Sequence, residues 1–68
     1  MAIMKVLELM THSDTGWEDA AQKAVSKAAE SVENIKSVWV QDFSAKVGKD
    51  GKIESYRVTC KVTFEVKD

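Results

Sequence analysis

The sequence predicts an α+β domain in which a three-stranded antiparallel sheet, in the chain order β-α-β-β, packs one helix on one face. Three observations carry that expectation. Apolar residues recur at helical spacing from Trp17 to Val32, an Asp-Gly pair separates two long β-prone runs, and the last run alternates apolar and polar residues without a break.

The first element, Ile3 to Met10, is rich in Ile, Val, Leu and Met and reads as a strand. THSDTG follows as a polar turn, in which Thr15 with Glu18 three residues later forms a capping box. A helix is therefore expected to begin just after Thr15. Its apolar stripe is Trp17, Ala20, Ala21, Ala24, Val25, Ala28, Ala29 and Val32, with Glu18, Lys23, Lys27 and Glu30 mostly off it. Asn34 is expected to close the helix, giving about 19 residues or roughly 28 Å.

Lys36 to Val47 reads as the second strand. In its stretch SVWVQDF, simple alternation puts Ser37, Trp39, Gln41 and Phe43 on one side and Val38 and Val40 on the other. GKDGK is the hairpin turn. Ile53 to Val66 is the third strand, with Tyr56, Val58, Cys60, Val62, Phe64 and Val66 on one face and Arg57, Thr59, Lys61, Thr63 and Glu65 on the other. No repeat, linker or low-complexity tract interrupts the chain, so residues 1–68 are expected to form one domain.

Size limits what this domain can do unaided. A chain of 68 residues hides only about 60% of the surface its unfolded form exposes. Cys60 is the single cysteine, which excludes an intrachain disulfide and suits a reducing, cytoplasmic setting. The formal charge of −1, with lysines and acids interspersed, argues against a nucleic-acid surface. The first ten residues carry Lys5 and Glu8 and are too short and charged for a signal segment or membrane span. At about 3.3 Å per residue the third strand would reach roughly 46 Å, far beyond its helix. Identical copies of the chain are the expected support for that overhang.

Few residues suggest chemistry. Trp39 is read first as an aromatic anchor between subunits, and alternatively as a stacking platform for a planar ligand. Trp17, at the start of the apolar stripe, is expected in the core. His12 has no companions at metal-ligand spacing and is read as a loop residue. Cys60, on the apolar face, is expected to be a buried thiol. Arg57 is expected to pair with Asp42 or Glu65 across strands, with a ligand phosphate or carbonyl as the alternative. No nucleophile, base or phosphate-loop motif is present, so binding or assembly is favoured over enzymology.

KVLEL in the first strand, WEDAAQKAV after Ser13, SVENI at the helix end and DGKI-x-x-YRVTCKVTF in the hairpin and last strand, taken in order, resemble the dodecin family of small flavin-binding proteins. The resemblance spans essentially the whole chain. It implies a β-α-β-β subunit whose antiparallel sheet wraps around its helix, assembling into a hollow homododecamer that holds riboflavin or FMN in stacked pairs at subunit interfaces. It also implies storage or buffering of the flavin without turnover. In the family a tryptophan stacks on the flavin and a glutamine on the last strand bonds the ring edge. Those two positions are Ser37 and Arg57 here, so neither motif residue carries over. Two arrangements stay open. Ser37, Trp39, Gln41 and Arg57 could line a displaced site for flavin or another planar ligand. Otherwise Trp39 closes the interface of a shell that assembles without flavin.

Overall fold

In the computed structural model, which describes residues 2–67, the chain runs β1 (Ile3–Ser13), α1 (Trp17–Ala29), β2 (Ile35–Val47) and β3 (Ile53–Val66). The sheet order is β1-β3-β2, and β3 is antiparallel to both neighbours. β1 and β2 therefore run in the same direction with the last strand inserted between them. This position makes β3 the most sheltered strand. Val58, Cys60 and Val62 are fully buried on its helix-facing side, as the alternation of the sequence predicts.

The core beneath α1 is small. Ala20 and Ala24 meet Val58 and Cys60, with Leu9, Ala21 and Val40 packed around them. Methyl side chains let the helix axis approach the sheet closely, but each contributes little apolar area. Thr11 sits on the same side, and its hydroxyl donates to the Ala20 carbonyl at 2.6 Å. A polar residue is thereby accommodated beneath the helix with its hydrogen bond made.

Both ends of α1 differ from the sequence expectation. Thr15 and Glu18 form no capping box, and the N-cap residue, Gly16, has no side chain with which to cap the helix. Ser13 takes over that task from the end of β1. Its hydroxyl oxygen accepts the Thr15 and Gly16 backbone N–H groups at 3.0 and 3.3 Å and donates to Asp19 Oδ2 at 2.6 Å. Strand β1 runs three residues past Met10 to reach this point, and His12 lies on that strand rather than in a loop. At the other end α1 stops at Ala29, after 13 residues or about 20 Å. Ser31, Val32 and Asn34 are weak helix formers, and the chain must reverse to enter β2. Asn34 makes the reversal at φ 62°, a conformation that asparagine tolerates better than most residues.

β2 departs from simple alternation. Val40 faces Cys60 and Asp42 faces Thr59, leaving Gln41 as a bulge without a partner. The extra residue exchanges the faces beyond it. Phe43 pairs with Val58 and so lies on the helix side, opposite to its expected place beside Trp39. There it meets the Trp17 ring edge-on at 5.9 Å, while Tyr56 meets Trp17 at 4.9 Å. The Trp17 indole N–H donates to the Ser44 carbonyl at 3.1 Å, tying the start of α1 to β2. Trp17 is therefore not the core residue the sequence suggests: it packs against these rings outside the buried cluster and is 36% exposed, because the start of the helix lies at the edge of the core.

Beyond that aromatic cluster the β2–β3 hairpin continues without cover. Val47 and Ile53 face each other near its tip, and both are exposed. The molecule measures 53 × 19 × 13 Å with a radius of gyration of 14.1 Å, against about 11 Å for a compact domain of this length. Its accessible surface is 5015 Å², where a compact chain of this mass would expose about 4,300 Å². Among the described residues no helix is long and apolar enough to cross a membrane.

Ser13 is buried and its hydroxyl serves three groups, so Ser13→Ala is expected to destabilise the fold by about 2 kcal/mol in urea denaturation at neutral pH. The Ser13 hydroxyl, and then Lys23, hold the Asp19 carboxyl below its ordinary value of 3.8. A lowered folded value means that this stabilisation is complete above pH 3.8 and is lost as pH falls through the folded value. The cost of Ser13→Ala should therefore shrink in acid, and a cost independent of pH would contradict this role.

Candidate functional site

Among the described residues no helix or strand lies over the face of the sheet turned away from α1. Along β3 it presents Ser55, Arg57, Thr59, Lys61, Thr63 and Glu65; Arg57 to Thr63 are flanked in register on both sides, Ser55 by Lys46 alone and Glu65 by Met4 alone. Glu8 and Trp39 lie on either side of Lys61, Val6 and Ser37 on either side of Thr63, and His12 and Ser44 on either side of Arg57. The bulge at Gln41 thus leaves Trp39 and Arg57 on one face while removing Phe43 from it.

Trp39 is the largest apolar group on this face and is 62% exposed. The Lys61 ammonium lies 5.5 Å from the centre of its ring. That geometry is a cation–π contact, which orients the indole against the sheet. Met4, Val6 and Met10 are exposed on the same face along β1, across the polar row of β3. The result is an aromatic ring and an apolar edge separated by Thr59, Lys61 and Thr63. Such a surface can stack on a flat molecule or receive another protein surface, and it carries a positive charge beside the ring.

Of the residues singled out in the sequence, Ser37 and Trp39 lie two positions apart on this face. Both are exposed. Gln41 is exposed within the bulge. Arg57 is further away, four residues from Lys61 along β3, or roughly 13 Å. Its expected pairing with Asp42 or Glu65 is not made. Arg57 Nε donates to Ser44 Oγ at 3.1 Å, and Glu65 lies 3.9 Å from Lys36 Nζ. The reason is register: Ser44 stands directly opposite Arg57, whereas Asp42 stands opposite Thr59. Around Arg57 the face dips into a cleft of ≈ 350 Å³ lined by His12, Lys46, Ser55 and Arg57.

Lys61 and His12 acquire significance only through pairing. Alternation placed Lys61 on the polar face, but its position over Trp39 depends on the β2–β3 register. Cys60 is buried as expected, and burial pushes its thiol up from the ordinary value. Among the described residues no three His, Cys, Asp or Glu side chains come together as a metal site.

A protein-family model described as Dodecin matches residues 3–67. Calcium dodecin of Mycobacterium tuberculosis (strain ATCC 25618 / H37Rv) is 36% identical over 67 residues, covering 98% of this chain and 93% of that protein. A crystal structure of that calcium-chelating antigen, described with a novel calcium-binding site, superposes with a TM-score of 0.80. The identity is 35%, over 96% of this chain and 91% of the other. A variant of the Thermus thermophilus dodecin matches with a TM-score of 0.91 and 25% identity over the full length of both chains.

Replacing Lys61 by Gln is expected to lower stability by about 0.5–1 kcal/mol, the usual size of an exposed cation–π contact. The intrinsic emission should change with it, because Trp39 loses its neighbour. Denaturation curves and emission spectra that coincide with wild type would show that the contact does not hold the indole.

Proposed function

Because the chain belongs to the dodecin family, we propose that it is a non-catalytic, self-assembling protein that holds a small ligand between subunits of a homododecamer. The ligand class we infer is a flat aromatic cofactor such as riboflavin or FMN. One observation carries this reading: Trp39 is 62% exposed on a sheet face that none of the described residues covers, with a lysine ammonium beside its ring. An exposed indole on an edge strand offers a broad π surface, and the neighbouring cation favours a ligand with anionic or carbonyl groups.

The roles follow from position. Trp39 stacks, and Lys61 supplies charge at the ring. Ser37, small and next on that face, leaves room where the family has its stacking tryptophan. Gln41 offers an amide from the bulge. Arg57 lies too far from its own Trp39 to touch the same ring edge, so it meets either the ligand's far end or a ring held by a neighbouring copy. The protein sequesters and does not transform. Its setting in this reading is the reducing cytoplasm, consistent with one buried free cysteine, and neither membrane nor nucleic acid is a partner.

A second reading is favoured by the 36% relative, a calcium dodecin, together with Ser37 at the stacking position. In it the shell is closed by its own side chains, Trp39 among them, and the ligand is calcium. Calcium takes six to eight oxygen ligands. Glu33 and Glu65 line one cleft of ≈ 320 Å³ beside Asn34, so further carboxylates would have to come from other copies.

Titration of the ligand-free assembly with riboflavin and FMN separates the two readings. The first predicts saturable quenching of flavin fluorescence that weakens at least tenfold, about 1.4 kcal/mol, in Trp39→Ala while sedimentation stays unchanged. Absence of quenching by an intact assembly, combined with a rise in thermal midpoint on adding calcium, would replace the first reading with the second.

A further inference from the structure

We propose that the cleft between His12, Lys46, Ser55 and Arg57 is an oxyanion site that receives phosphate or a phosphate monoester. It lies on the open face near the hairpin, about four strand residues from Lys61 and its Trp39 platform. The site stands on its own geometry and does not require that Trp39 bind a flavin.

Register builds it. His12 on β1, Arg57 on β3 and Ser44 on β2 lie side by side across the three strands, and Lys46 faces Ser55 two residues further along β2. Adjacent strands are about 4.8 Å apart, so two basic side chains, an imidazole and a hydroxyl surround one depression. None of the cleft's lining residues is acidic. The chain as a whole carries a net charge of −1, so this one-signed patch is a local arrangement.

Arg57 is oriented for the task. Its Nε–H is committed to Ser44 Oγ at 3.1 Å, which fixes the plane of the guanidinium. Both terminal amino groups are left for a fork-like pair with two oxygens of a tetrahedral anion. Among the described residues no carboxylate lies within ion-pairing distance of Arg57, in contrast to Lys46, whose Nζ lies 3.8 Å from Glu54 Oε2. That pair is exposed and long, so an entering anion can draw Lys46 away at small cost. Asp42, the next acid on this face, stands one row off, opposite Thr59. The Ser55 hydroxyl adds a neutral donor.

The source of the phosphate is either the free ion or the terminal group of a phosphorylated ligand whose flat portion rests elsewhere on the face. The test begins with inorganic phosphate alone, titrated into the full-length assembled protein and followed by ³¹P NMR. Wild type is expected to give saturable, chloride-sensitive binding. Arg57→Gln should weaken it by on the order of tenfold, and Arg57→Lys, which keeps the charge but loses the fork, by a smaller factor. Lys27→Gln, the same change of charge on the exposed side of α1, should bind as wild type does. Sedimentation of each variant checks that assembly is retained.

A comparison of FMN with riboflavin then distinguishes the sources. Tighter binding of FMN, lost in Arg57→Gln, assigns the site to the ligand's own phosphate. Equal affinities alongside phosphate binding assign it to the free ion. Failure of both flavins to bind would remove the Trp39 reading and leave the phosphate result standing. The proposal is overturned if inorganic phosphate does not bind wild type, or if Arg57→Gln and Lys27→Gln bind it alike.

Discussion

A helix whose inner stripe is alanine can lie close against a sheet, but it shelters only the strip of sheet directly beneath it. Here α1 is about 20 Å long, while the molecule extends 53 Å along its sheet. Ala20, Ala24 and Ala28 are completely buried, yet the apolar area they remove from water is small. Much else in the structure follows from this mismatch. The core reduces to a few residues of β3 with α1 above them, and Phe43, Val47 and Ile53 remain exposed where the hairpin outruns the helix. Trp17 moderates the problem at one point, where its ring and indole N–H bind the start of the helix to Phe43, Tyr56 and the Ser44 carbonyl.

The far side of the sheet is shaped by one inserted residue. Without the bulge at Gln41, Phe43 would stand on the open face beside Trp39 and would leave Trp17 without one of its aromatic neighbours. With it, the open face becomes a single indole under a lysine, an apolar edge on β1, and a separate basic cleft nearer the hairpin. The chain resolves two demands at once: aromatic packing where the helix begins, and an aromatic ring left available on the side no helix covers. Assembly with further copies is the natural completion, because edge strands and exposed apolar side chains together invite another surface.

The order of elements, the β3 alternation, the alanine stripe and the hairpin position could all be read from the residues, because each is a local, periodic signal. The helix ends could not. Ser13 displaced Thr15 as the organiser of the N-terminus because its hydroxyl is carried there by the pairing of β1 with β3, a contact far apart in sequence. The face of Phe43 depended on a bulge that leaves no compositional mark in SVWVQDF. Trp39 and Arg57 share the open face, but that shared side, their separation along the sheet, the Lys61 contact and the Ser44 partner of Arg57 all depend on inter-strand register. Residue spacing along one strand does not contain that information.

The central claim is that one copy cannot keep this sheet folded and that copies of itself cover what the helix leaves bare. The most direct test follows the state of association and the tryptophan emission together over a dilution series. The account predicts a dodecamer that loses its native emission and secondary structure as it dissociates. A dilute species sedimenting as a single chain, with secondary structure intact and Trp39 open to quenchers, would contradict it.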